Sequence, residues 1–302
     1  MHIRHYLATL EFVNQERAAR GLALCESCSS GATSRCNRVT VGHVSPGLQT
    51  GYCADTGGGW GATFVAHRSQ LHALPDQMSD LRAVLVEPLA CAIHAVLRGR
   101  PEPGASVLVV GAGTVGLLTL LALREFTEVG RIVAVAKHGR QAELAVEFGA
   151  TEVIRSADPV PALRRATRAY RLSPERGRPY LLGGVDVAFD CVGSRGSLDV
   201  ALRSTRAGGR VVLTGMPEAG ADLSPVWFRE LELVGAYATG TEVTDRGVAS
   251  TFDLAMDLAA DAPLGDLVGA VYPLSRWREA LDHALSAGRL GTVKVAFDPR
   301  EK

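Results

Sequence analysis

At 302 residues, with 47% hydrophobic and 21% charged side chains, the chain has length for one large or two medium domains and too few charges for long disordered tails. Lysine plus arginine equals aspartate plus glutamate, 32 against 32, so nothing in the charge favours nucleic acid or an anionic membrane as partner. Met1 to Ala8 holds no apolar stretch of the kind a secretory leader needs, so a cytoplasmic protein is expected. Its six cysteines then read as buried, metal-binding or free rather than bridged.

In chain order, Arg4–Leu22 reads as a helix, with Leu7, Leu10, Phe12, Val13 and Ala18 partly in phase. Residues 25–60, rich in Cys, Ser, Gly and Thr, read as loop. Phe64–His67 and Leu71–Leu74 have the look of short strands around a turn. Pro75 through Leu97 reads as loop and then helix, with Glu87 and Pro88 near the helix start. From Pro103 to Tyr237, strand and helix alternate. The expected strands are Val107–Val110, Ile132–Ala136, Val153–Ile154, Val185–Cys191, Val211–Thr214 and Leu231–Ala236. The helices between them are Val115–Phe126, Gln141–Phe148, Pro161–Tyr170 and Ser197–Thr205, with a polar loop over Arg171–Gly184. Short apolar strands separated by helices predict a doubly wound parallel sheet covered on both faces, an α/β fold of Rossmann type. Helices around Ser250–Ala260 and Trp277–Ala287 and a strand at Val293–Phe297 follow. That tail is too short for a domain, so it should return to the N-terminal part and leave the nucleotide-binding domain as an insertion.

Val107 to Leu123 is long and apolar like a membrane span, but three early glycines make it a buried strand–turn–helix unit. Val-Val-Gly-Ala-Gly-Thr-Val-Gly, residues 109–116, has the spacing that holds a dinucleotide diphosphate. Gly111 permits the tight turn off the strand, Gly113 lets backbone approach phosphate oxygens, and Gly116 lets the helix lie against the strand. Thr114 and Val115 open that helix, whose free N–H groups and positive dipole end point at the anion. In a site that prefers NAD, a carboxylate stands about twenty residues past the last of these glycines. Here the count lands on Ala136, followed by Lys137, His138 and Arg140, with no carboxylate between Glu128 and Glu143. Cations attract a 2′-phosphate where a carboxylate repels it, so the cofactor is NADP or NAD, with NADP favoured.

Four stretches carry a resemblance to the zinc-type medium-chain alcohol dehydrogenase family. They are the cysteines at 25–36; Gly57-Gly58-Gly59-Trp60 leading to Phe64-Val65-Ala66-His67; Val86-Glu87-Pro88-Leu89-Ala90 followed by His94; and the nucleotide-binding segment, including Phe189-Asp190-Cys191-Val192-Gly193 and Ala207-Gly208-Gly209-Arg210. The Glu-Pro-Leu signature resembles the polyol, threonine and glucose dehydrogenase branch. The resemblance implies a partial GroES-like, β-rich catalytic domain (1–98), a Rossmann domain (99–237) and a C-terminal return (238–302). It further implies hydride transfer between a small alcohol, polyol or amino alcohol and the nicotinamide. Glu87 and His94 would lie at the substrate end, Cys191 and Val192 by the cofactor, and the chains would associate as a homodimer or tetramer through Leu233–Ala236.

Zinc is where the sequence departs from the family pattern. The catalytic zinc of the family uses a cysteine and a Gly-His-Glu histidine that precede the cysteine cluster, and neither motif is present. Glu87 is the acid associated with that metal in this branch. Cys25, Cys28 and Cys36 resemble the last three ligands of the family's four-cysteine structural zinc lobe, but Leu22 takes the place of the first, and tetrahedral zinc wants four ligands. Cys53 or His43 could complete the shell. His2 and His5, three apart, could share a helix face as substitute ligands. The readings left open are a shortened form of an ordinary dehydrogenase, a non-catalytic NADP-binding module, and a zinc-independent NADPH reductase.

Overall fold

Ser106–Val110 forms strand β1, and its last four residues are buried. A strand apolar on both faces has no side to offer to water, so it needs layers above and below it. The computed structural model, which describes residues 20–30, 32, 35, 59–61, 63, 71–244 and 247–300, supplies them. With β1 stand β2 (Arg131–Val135), β3 (Glu152–Ile154), β4 (Tyr170–Leu172), β5 (Tyr180–Leu182), β6 (Val185–Asp190), β7 (Thr205–Leu213) and β8 (Glu232–Gly235). Six of these form one sheet in the order β3-β2-β1-β6-β7-β8, every neighbouring pair parallel. The helix Thr114–Phe126 buries Leu117, Leu118, Leu120 and Leu123. A core cluster joins Leu163, Leu198 and Leu202 of two other helices to Leu108, Val110, Val133 and Val211 of the sheet.

The chain runs outward from β1 through β2 to β3, then returns to β1's other side with β6. That reversal puts a crevice beyond the carboxyl ends of β1 and β6, where doubly wound sheets bind ligands. The register brings the strand ends level: Val110 faces Val135 and Asp190, Val135 faces Ile154, and Asp190 faces Leu213. Gly111, Ala136, Arg155, Cys191 and Thr214 therefore leave the sheet along one edge.

At the opposite edge Asp186 ties β6 to β1. It accepts hydrogen bonds from Ser106 N (2.8 Å), Ser106 Oγ (2.7 Å) and Arg206 Nε (2.6 Å). Burial pushes its carboxyl upward, but the bonds from Arg206 and Ser106 outweigh this and hold it below the usual aspartate range. A depressed folded-state pKa gives stability that is full above the unfolded value and lost as pH falls through the folded one. Asp186→Asn is thus expected to lower the urea midpoint at pH 7, with the gap to wild type closing below about pH 4. A gap as wide at pH 3 as at pH 7 would contradict this account.

Among the described residues, those within 88–237 and 284–294 form one body, and those within 20–87, 238–283 and 295–300 another. In the second, Ser250 caps the helix Thr251–Asp261 by accepting from Asp253 N at 3.1 Å. Arg82 Nη1 donates to Ala259 O at 3.2 Å, and Arg300 pairs with Asp80 at 2.8 Å. Thr241–Thr244 and Gly247–Ser250 form a hairpin, and Val268–Pro273 pairs with Lys294–Asp298.

The structure corrects several sequence expectations. Leu71–Leu74 is no strand; its His72 ring stacks on Phe252 with centroids 4.1 Å apart. The expected loop 25–60 contains a helical turn at Glu26–Ser29. The helix expected over Pro161–Tyr170 stops at Thr167, where Arg168 turns left-handed (φ 55°). The polar loop 171–184 holds the antiparallel hairpin β4–β5, whose first strand is exposed along its whole length and so shows no alternation to read. The expected helix over residues 4–22 and strand over 64–67 fall outside the described residues, save for 20–22, which are not helical.

Candidate functional site

The glycine turn is built by three different contacts. Gly111 follows β1 at φ +97°, a left-handed conformation that glycine alone adopts without strain, and a Cβ there would stand 2.3 Å from Val192 Cγ2. A Cβ on Gly116 would stand 1.8 Å from the carbonyl oxygen of Gly111, so this residue sets how closely the helix Thr114–Phe126 lies on the turn. Gly113 differs from both. It is the N-cap of that helix, in ordinary extended backbone (φ −80°, ψ −170°), and a Cβ there would meet nothing within 4 Å. The space over the helix start is open, no side chain caps its first N–H groups, and no acidic residue sits in its first turn. Gly113, Thr114 and Val115 are all partly exposed. These features fit a dinucleotide diphosphate: donors converge, the dipole end is positive, and nothing fills the cradle.

Across the crevice the loop after β6 is held by Asp190. This carboxylate is fully buried, and its Oδ1 accepts from Val192 N and Gly193 N, both at 3.1 Å. Its role as the anchor of this loop was not read from the sequence, although an aspartate ending an apolar strand before a glycine turn was there to see. Val192 is half exposed and packs on Gly111, while Cys191 N donates to Val110 O at 3.0 Å. Burial pushes the Cys191 thiol up to about 12, the neighbouring Thr119 hydroxyl (3.7 Å) opposing only in part, so the residue packs as a thiol and is no nucleophile.

Lys137, His138 and Arg140 lie beyond β2, as expected. Ala136, at the position where a carboxylate would hold ribose hydroxyls, is fully buried. Lys137 is exposed. The ring of His138 is pressed against Gly288, where a Cβ would stand 2.2 Å from its Cδ2. Arg140 is drawn to Glu143 (3.4 Å) and Glu147 (3.8 Å) on its own helix.

Glu87 and His94 share the helix Val86–Gly99, Glu87 exposed in its first turn and His94 buried. Seven residues apart, they stand about 10 Å apart along the axis and do not meet as a pair. Cys25 and Cys28 are buried together against Leu24 in the turn Glu26–Ser29. Cys36, His2, His5, His43 and Cys53 fall outside the described residues. Among the described residues no three His, Cys, Asp or Glu side chains converge to hold a metal. No helix among them is long and apolar enough to cross a membrane.

The parallel sheet with its glycine turn at the switch point is an α/β fold of Rossmann type. The family model described as zinc-binding dehydrogenase matches residues 114–260 of this chain. The chain is 36% identical over 179 residues to an L-idonate 5-dehydrogenase of Vitis vinifera, a match covering 58% of this chain and 47% of that protein. To a sorbitol dehydrogenase of Bacillus subtilis it is 26% identical over 272 residues, covering 86% of this chain and 67% of the relative. The first of these alignments spans about half the length of the curated relative. Among solved structures, a zinc-binding dehydrogenase from Sinorhizobium meliloti bound to NADP aligns with TM-score 0.63 and 24% identity, covering 91% of this chain and 73% of that one, a likeness of fold.

Proposed function

We propose that this chain is an NAD(P)-dependent oxidoreductase that moves a hydride between a small alcohol, a polyol or an amino alcohol and the nicotinamide, with NADP favoured. The observation that carries the reading is the glycine turn at the β1–β6 switch point, open above Gly113 and closed around Gly111 and Gly116. The L-idonate and sorbitol dehydrogenases among its relatives support the substrate class. The N–H groups of Gly113, Thr114, Val115 and Gly116 would hold the diphosphate. Lys137 and His138 follow β2, whose carboxyl end would face the adenosine ribose, while Arg140 is drawn to Glu143 and Glu147. Val192, fixed by Asp190 and Gly111, would line the nicotinamide side with Cys191. When bound, the nicotinamide supplies the hydride acceptor. The chain's own part is to orient it against the substrate, with Glu87 and His94 at the substrate end. We further propose a homodimer or tetramer working in the cytoplasm.

The test has two steps. Nicotinamide fluorescence during titration is expected to report saturable binding of NADPH and, more weakly, NADH. With oxidised cofactor and a panel of polyols, absorbance at the reduced-nicotinamide band is then expected to rise. Binding of neither cofactor would overturn the whole reading; binding without turnover on any alcohol would overturn the catalytic half and leave a non-catalytic module.

A further inference from the structure

Lys137, His138 and Arg140 follow β2 in the sequence, but the structure leaves them unequally placed. Arg140 is turned back along its helix by Glu143 and Glu147, at 3.4 and 3.8 Å. His138 has its ring against Gly288. Lys137 is exposed and makes no hydrogen bond or ion pair with another described residue. Another cation comes from elsewhere in the chain. Arg155 is the first residue beyond β3, and the β2–β3 register sets Val135 against Ile154, so Arg155 leaves the sheet beside Ala136. The hydrogen bond from Ala136 N to Ile154 O, 3.0 Å, fixes that neighbourhood. From there the side chain of Arg155 reaches across the end of β2. Its Nη2 lies 3.8 Å from where a Cβ of Gly139 would stand, two residues past Lys137. Arg155 is exposed and, like Lys137, has no partner among the described residues.

We infer that Arg155, rather than Arg140, is the second cation that selects a cofactor bearing a 2′-phosphate, acting with Lys137. The inference rests on the proposed dinucleotide reading. The chemistry is that of a phosphomonoester: a guanidinium offers it a planar fork of donors, and a lysine adds a point charge. The methyl group of Ala136 between them neither grips ribose hydroxyls nor repels a phosphate.

The experiment titrates NADPH and NADH separately into wild type, Arg155→Ala, Arg155→Lys and Arg140→Ala, with 2′,5′-ADP as a nicotinamide-free competitor. Arg155→Ala is expected to weaken NADPH and 2′,5′-ADP by about 10- to 100-fold while leaving NADH within about twofold. Arg155→Lys is expected to recover part of the loss, and Arg140→Ala to leave the NADPH-to-NADH ratio within about threefold. The unchanged NADH affinity shows within the same sample that the variant has kept its fold. A ratio untouched by Arg155→Ala, or one that collapses in Arg140→Ala instead, overturns the inference and leaves the dinucleotide reading standing. Wild type that binds neither cofactor overturns that reading itself.

Discussion

Gly113→Asp is expected to leave the chain at least as stable as wild type and to abolish its dinucleotide binding. The two halves of this expectation come from one geometry. Gly113 is the N-cap of the helix Thr114–Phe126, its backbone is already in the extended conformation that N-caps adopt, and a Cβ there meets nothing within 4 Å. Aspartate is among the best N-caps, glycine a weaker one, and a carboxylate at a helix N-terminus is favoured by the dipole. The gain should be about 0.5–1 kcal/mol. The new carboxylate would accept from the very N–H groups that a diphosphate needs. It would also set a negative charge where two more must come, and like charges brought together cost several kcal/mol, so NADPH and NADH affinity should each fall by more than about 100-fold. Urea denaturation and cofactor titration on one preparation settle both halves. A variant that binds either cofactor at wild-type strength would show that the diphosphate does not lie over Gly113.

The strand–turn–helix at 106–126 was legible because its signals are local. Val107–Val110 is apolar without interruption, the glycines fall at fixed offsets, and the helix that follows is apolar on the face it buries. Local signals fail where the deciding partner is distant in sequence. The hairpin β4–β5 is exposed on most of its residues, so its pairing leaves no trace in the apolar pattern. In Leu71–Leu74 the His72 ring stacks on Phe252, a contact that does not require a ladder partner. The basic residues beyond β2 and β3 show the same division. Arg140 was found by counting along the chain, and the two glutamates three and seven residues on that occupy it were equally countable. Arg155 could not be found that way, since only the pairing of β3 with β2 brings it next to Ala136. The return of residues 284–294 to the first body, which sets Gly288 on His138, is likewise a fact of tertiary contact with no sequence signature.

Gly116→Ala, one turn further along the same helix, should do the reverse of Gly113→Asp and damage the fold before it touches any ligand. The added methyl would lie 1.8 Å from the carbonyl oxygen of Gly111 and 3.5 Å from Cys191 Cβ. Real contacts of this kind are wider by more than an ångström, and the atom in the way is backbone, which cannot rotate aside. Relief requires the helix Thr114–Phe126 to lift off the turn, yet Leu117, Leu118, Leu120 and Leu123 bind it to the core. Overpacking a filled core costs about 1–3 kcal/mol, and a backbone obstacle puts this site at or above the upper end, so a loss of about 3 kcal/mol in denaturant-measured stability is expected. Gly116→Val should cost more, because two further methyl groups meet the same wall. If either variant unfolds at the wild-type midpoint, the helix is free to slide and Gly116 does not set its distance from β1. Cofactor binding would fall in both Gly113→Asp and Gly116→Ala, so affinity alone cannot separate them. The midpoint does, because one glycine keeps space open for a ligand and the other allows two pieces of backbone to touch.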